Sequence, residues 1–210
     1  LYRNDKPEFA SAYRHIAEGQ HEGLRVKKVV HSDDSTLEHR KHFVVAGSAG
    51  GRVRSAARLV ALAGMSSGWW GAQRDDYPIT VKSGHSVSEV ILAPEEIHYS
   101  GVERPDVLVV VSDDGVGKSG PYLEAMDEDG IVFVAEGLRI PATKADVIKV
   151  DPSSSETRIP KASLALAMVS LAVKQTGLVP FDLFEETAGA GGFGEKNLEL
   201  VAAGVALGTA

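Results

Sequence analysis

The sequence predicts an α/β fold: a largely parallel sheet flanked by helices, with an N-terminal arm. Several short runs are apolar throughout, Phe43-Val44-Val45-Ala46 and Val107-Leu108-Val109-Val110-Val111 above all, as strands covered on both faces are. Segments with apolar residues at helical spacing alternate with these runs. The chain of 210 residues, 43% of them hydrophobic, is long enough to bury one sizeable core.

Residues 1–38 are polar and broken up, and read as an arm or linker. A short helix is expected around Glu8–Gly19, a brief strand at Val26–Val30 and a solvated turn at His31-Ser32-Asp33-Asp34-Ser35. The α/β domain is expected over 39–210. His42–Ala46 is its first strand, and Gly47-Ser48-Ala49-Gly50-Gly51 a turn into a helix over Arg52–Met65. That helix places Val53, Ala56, Ala57, Val60, Ala61 and Gly64 on one face. Gly68–Gln73 and Ser86–Leu92 follow. The second alternates Val87, Glu89 and Ile91 with Ser88, Val90 and Leu92, and Pro94 ends it. Asp106–Ser112 is the clearest buried strand. A short helix at Tyr122–Asp127 and strands at Gly130–Ala135 and Ala145–Lys149 come next. Lys161–Gln175 reads as a helix begun after Pro160 and closed by Gly177. A last helix spans about Glu195–Leu207.

The bulk composition excludes several classes of function. A net charge of −7 leaves no basic stripe for nucleic acid. No apolar run approaches the roughly 18–20 residues that span a bilayer, and the polar start does not resemble a signal peptide. A cytoplasmic location is therefore expected. The chain begins at Leu1 without Met, so further residues upstream are expected too. With no cysteine there is neither a disulfide framework nor a thiolate for an iron–sulfur cluster or a structural zinc.

A strand emptying into glycines at a helix start brings backbone N–H groups close to an anion or a partner. Arg52 and Arg54 in the first helical turn suit a phosphate or carboxylate; a tight turn with arginines in solvent is the bland alternative. A dinucleotide fingerprint is not met, because the third glycine and the acidic residue after the next strand are missing. Ser112-Asp113-Asp114-Gly115-Val116-Gly117-Lys118-Ser119 mimics a Walker A loop. Ser112 replaces its first glycine, two aspartates oppose phosphate, and Gly120-Pro121 should interrupt the helix, so a solvated loop is expected. His31, His39 and His42 cluster near acidic residues, but His42 opens a strand and no metal set is filled. Trp69-Trp70 and the Leu164–Leu171 stripe read as core or interface. Lys82-Ser83-Gly84-His85-Ser86, polar and small before a strand, is either a ligand-presenting tip or a hydrophilic hairpin loop, with His85 its pH-sensitive group.

Taken in order, these segments resemble the gamma subunit, or gamma domain, of the 2-oxoacid:acceptor oxidoreductases, typified by pyruvate:ferredoxin oxidoreductase. That family runs strand, G-x-G-G-Q-G-V and an alanine-rich helix, then R-G-G-x-S-x-x-E-V. An apolar strand opened by P-D, a helix near a Pro-Ala or Pro-Lys-Ala, and a closing K-x-x-N helix with alanines and a glycine follow. This chain shows Gly47-Ser48-Ala49-Gly50-Gly51-Arg52-Val53 and Lys82-Ser83-Gly84-His85-Ser86-Val87-Ser88-Glu89-Val90. It then has Pro105-Asp106, Pro160-Lys161-Ala162, and Lys196-Asn197 with Ala202-Ala203-Gly204. The likeness covers about residues 42–206. Ala49, Gly51 and Arg52 depart from the family's Gly, Gln and Gly; Lys82 and Ser83 stand for Arg and Gly; Ala167 and Ala172 replace an Asn and a Gly. These departures suggest a divergent branch.

The resemblance implies a Rossmann-like gamma domain in an enzyme that converts a 2-oxoacid and coenzyme A to acyl-CoA and CO2. Electrons pass to ferredoxin or another acceptor, in anaerobic metabolism. Thiamine diphosphate and Mg2+ would lie between alpha and beta subunits, and [4Fe–4S] clusters in beta and in a ferredoxin-like delta. This chain would bind no cofactor and supply no catalytic residue. It would complete the assembly and shape the approach of coenzyme A and substrate through Gly47, Gly50, Gly51, Arg52, Lys82, Ser83, Gly84, His85 and Ser86. Two rivals remain: a free-standing Rossmann-like protein binding a nucleotide or acyl-phosphate, and a purely structural or regulatory interaction module.

Overall fold

The computed structural model describes residues 37–77, 84–99, 101–190 and 193–207. The helix and strand expected within 1–36 lie outside them, as do Lys82 and Ser83.

The strands are β1 (Lys41–Ser48), β2 (Trp70–Asp76), β3 (His85–Ala93), β4 (Val107–Val110), β5 (Ile131–Ala135) and β6 (Asp146–Val150). They form one sheet in the order β2-β3-β1-β4-β5-β6. β1, β4, β5 and β6 run parallel, while β3 is antiparallel to both β1 and β2. The sheet is therefore mixed but mostly parallel. The helices are α1 (Val53–Ser66), α2 (Asp113–Ala125), α3 (Leu164–Thr176), α4 (Phe181–Gly189) and α5 (Gly194–Ala206).

Two apolar layers sandwich the sheet. Phe43 and Val45 of β1 join Val90 and Leu92 of β3 beneath α1 and α3. Val44 and Ala46 join Val87 and Ile91 on the other face, with Leu123 of α2 and Met126 just beyond it. The alternation expected along β3 holds, and both of its sides are buried. Burying side chains such as Phe43 and Phe133 supplies about 1.5–3 kcal/mol each. Leu37 and Trp69 also pack into the first layer. α3 is buried around most of its circumference because α5 covers the side turned away from the sheet. The two helices cross so closely that a Cβ at Gly204 would overlap the Ala167 carbonyl.

Two expectations are corrected. The string from Asp113 to Ser119 is not a solvated loop but the first half of α2, and the short helix expected at Tyr122–Asp127 is that helix's end. Ser112 takes the N-cap, accepting from the Gly115 N–H at 3.3 Å, with Asp113 and Asp114 favourable in the first turn. Pro121 removes the donor for the Gly117 carbonyl, but Gly117 is exposed and water can replace it, so the helix continues. Second, α4 is an additional helix, begun after Pro180 and anchored by Phe184.

Candidate functional site

β1 and β4 are parallel neighbours whose following helices leave to opposite faces of the sheet, α1 to one and α2 to the other. Such a divergence opens a crevice outside the carboxyl ends of the two strands, where open α/β sheets receive their ligands. Here the crevice has a volume of about 400 Å³ and is lined by Ser48, Ala49, Gly50, Gly51, Val111, Ser112, Lys161 and Ala162.

The turn that forms one wall is built by local chemistry. The Gly51 N–H donates to the Ser48 carbonyl at 3.0 Å, and Gly50 adopts φ 81°, which costs a residue without Cβ little. Gly47 is needed for packing, since a Cβ there would stand 2.6 Å from Val111. Arg52 follows at φ 58° and starts α1 with no side-chain cap. Across the crevice floor, the Ser48 hydroxyl donates to Ser112 Oγ at 2.9 Å.

The two segments singled out in the sequence meet at this edge. The Ala49 N–H donates to the Gly84 carbonyl at 2.8 Å, and Ser48 is paired with His85 in the β1–β3 ladder. Gly84, His85 and Ser86 thus stand beside Gly47–Gly51, at the end of the β2–β3 hairpin. His85 Nε2 lies 3.1 Å from Asp76 Oδ2 on the neighbouring strand.

The arginines have protein partners. Arg52 Nη2 donates to Asn197 Oδ1 at 2.8 Å. Arg54 lies beside the Asp75 carboxylate and over the Tyr77 ring. Lys161 is instead the cation among the crevice-lining residues. It was visible in the sequence only as part of Pro160-Lys161-Ala162, since nothing local joins it to a turn so distant in the chain. Ser48 and Ser112 carry no such signal either, being common residue types with no diagnostic spacing.

Behind the hairpin sits a buried carboxylate. Glu89 is 4% exposed and accepts from Arg74 Nη2 at 2.8 Å, the Tyr122 hydroxyl at 2.5 Å and the Val102 N–H at 3.2 Å. Burial, and then the hydrogen bond to this carboxylate, push the Tyr122 phenol well above its ordinary range; the same carboxylate raises Arg74. Satisfying a buried carboxylate from β2, α2 and the 101–106 loop ties those elements to β3. Among the described residues no group of three or more His, Cys, Asp or Glu could hold a metal ion.

Residues 42–207 match the family model described as pyruvate ferredoxin/flavodoxin oxidoreductase. The chain belongs to this family. Within it, the 2-oxoglutarate synthase subunit KorC of Methanothermobacter thermautotrophicus is 26% identical over 182 residues, 80% of this chain and 95% of the relative. The fold matches the keto/oxoacid ferredoxin oxidoreductase gamma subunit of Geobacter sulfurreducens with a TM-score of 0.68 at 18% identity, covering 81% of this chain and 97% of that one. It also matches a 2-oxoglutarate:ferredoxin oxidoreductase from Magnetococcus marinus, whose structure holds 2-oxoglutarate, coenzyme A and succinyl-CoA. There the TM-score is 0.68 at 16% identity, over 82% of this chain and 32% of that longer one. These relatives support the gamma-subunit reading of the sequence and not the free-standing nucleotide-binding protein. In the family's second motif Glu89 is the glutamate of S-x-x-E-V, and its role here is the buried clamp just described.

Proposed function

We propose that this chain is the gamma subunit of a complex that oxidatively decarboxylates a 2-oxoacid with coenzyme A. It completes the assembly and presents the β1–β4 crevice to the incoming coenzyme A. The observation that carries the reading is the meeting of the 47–52 turn, the 84–86 hairpin end and Lys161 at one end of the sheet. A mostly apolar crevice with the Lys161 ammonium group among its described lining residues suits a ligand that couples an anion to an uncharged arm.

The redox and carbanion chemistry belongs to partner chains in this proposal. These 210 residues contain no cysteine, so their donor set does not fit a [4Fe–4S] cluster. Thiamine diphosphate and Mg2+ are assigned to the alpha and beta subunits, and the clusters to beta and a ferredoxin-like delta that passes electrons to ferredoxin or another acceptor. Among the described residues no helix is long and apolar enough to cross a membrane; a cytoplasmic complex is proposed. Residues 1–38 are proposed as a tether to a neighbouring subunit or preceding domain.

The test has two stages. Co-purification should recover a brown, iron-containing complex with larger thiamine-binding chains; a colourless, iron-free preparation of this chain alone refutes assembly. In that complex Lys161→Ala should raise the apparent KM for coenzyme A about tenfold, the worth of one charge-assisted contact. An unchanged KM removes the crevice from the coenzyme A path.

A further inference from the structure

Arg52 is the non-glycine residue with positive φ among the described residues, at φ 58°, ψ 20°. That conformation strains a residue with a side chain, a cost that glycine would avoid. Gly50, at φ 81° with open space where a Cβ would stand, shows that the turn already uses glycine where only backbone freedom is needed. A strained arginine directly after the turn that lines the crevice therefore points to work done by its side chain.

The guanidinium reaches away from the sheet to α5. Its Nη2 donates to Asn197 Oδ1 at 2.8 Å, while Asn197 Nδ2 donates to the Ala188 carbonyl at 3.1 Å in the last turn of α4. Both ends of the buried amide are thus used, and its orientation is fixed by them: oxygen toward the cation, nitrogen toward the carbonyl. A cavity of about 50 Å³ lies between Arg52, Ser55, Leu166 and Asn197, so this contact is held by its hydrogen bond rather than by close packing.

We propose that Asn197 is a positioning residue for the crevice: a latch on the α4–α5 junction that fixes the turn 49–52 through Arg52. The turn wall stands where it does because a helix far along the chain holds its strained residue in place. Displacing the α4–α5 junction would reshape the crevice without touching its lining. The consequence for coenzyme A rests on the function proposed above; the ordering of the turn does not.

The experiment is hydrogen exchange and steady-state kinetics on the assembled complex, with Asn197→Ala, Asn197→Asp, Arg52→Met and Lys161→Ala. Arg52→Met breaks the latch while leaving the Asn197–Ala188 bond, so it stays informative if Asn197→Ala fails to fold. Loss of the latch should speed exchange of the 49–54 amides about tenfold, the size of one hydrogen bond to a charged group. It should also raise the KM for coenzyme A by more than it lowers kcat. Asn197→Asp retains an acceptor for Arg52 but loses the donor to Ala188, so the 49–54 amides should stay close to wild type. Equal acceleration in Asn197→Asp and Asn197→Ala would reduce Asn197 to a cap on α4 and overturn the proposal. So would unchanged exchange in Arg52→Met, or a KM raised by Lys161→Ala but by neither latch variant. Faster exchange with no KM change in any variant, Lys161→Ala included, would refute the coenzyme A reading and leave the latch established.

Discussion

The Ser48 hydroxyl donates to Ser112 Oγ at 2.9 Å, joining the last residue of β1 to the N-cap of α2 across 64 positions of sequence. Ser112 Oγ also accepts from the Gly115 N–H, so one hydroxyl oxygen serves the helix start and the crevice floor together. Ser112→Ala removes both contacts and should cost about 1–2 kcal/mol, the usual worth of an N-cap. Ser48→Ala leaves the cap in place and should cost about 0.5–1 kcal/mol. Urea unfolding of the two variants checks the order; a larger loss in Ser48→Ala would show that the cap is not the main contribution.

The Glu89 clamp gives the protein an alkaline sensitivity. The folded state holds the Tyr122 phenol above its ordinary value of 10.0, chiefly by burial and then by the bond to the Glu89 carboxylate. Above pH about 10 the unfolded chain gives up a proton that the folded chain keeps, so stability falls as pH rises. Below that pH the contribution is complete, and it vanishes as pH passes through the raised folded value. Tyr122→Phe should cost about 1.5–3 kcal/mol near neutral pH and flatten part of the decline above pH 10. Unfolding free energies of both proteins from pH 8 to 11 decide this: parallel curves would mean that Tyr122 does not carry the slope.

Most of the fold was legible because its signals are local. Continuous apolar runs marked β1 and β4, and Pro160 and Gly177 bracketed α3, whose C-cap Gly177 has φ 60°. One correction has a clear cause. Asp113–Ser119 looked like a loop because glycines and Gly120-Pro121 have poor helix propensity, and tertiary packing of Leu123 and Ser119 overrode it. The site was half legible for a related reason. The two loops could be named from composition, but their adjacency depends on the antiparallel pairing of β3 with β1, and Lys161 comes from beyond β6, far along the chain. The arginines of the first helical turn were the attractive anion ligands in one dimension; in three, Asn197 and Asp75 sit closer to them than the crevice does.

The same helix supplies a paired test of why its glycines are there. A Cβ at Gly115 would lie 2.5 Å from the Ala46 carbonyl oxygen and 2.8 Å from the Gly47 nitrogen, so α2 starts directly against the end of β1. At Gly117 a Cβ would meet nothing within 4 Å. If these glycines served a phosphate-cradling loop, both would resist alanine for the same reason, the need for unusual backbone angles. In a helix they part company. Gly115→Ala must push α2 off rigid backbone and should cost about 2–3 kcal/mol or more, as overpacking of a close contact does. Gly117→Ala replaces a poor helix former on an exposed turn and should stabilise by about 0.5–1 kcal/mol. Denaturant midpoints of the two variants measure the difference directly. Similar losses at both positions would show that the 112–119 segment is held as a loop in solution; opposite signs would establish that Gly115 is kept for the contact with β1 that brings Ser112 to the crevice.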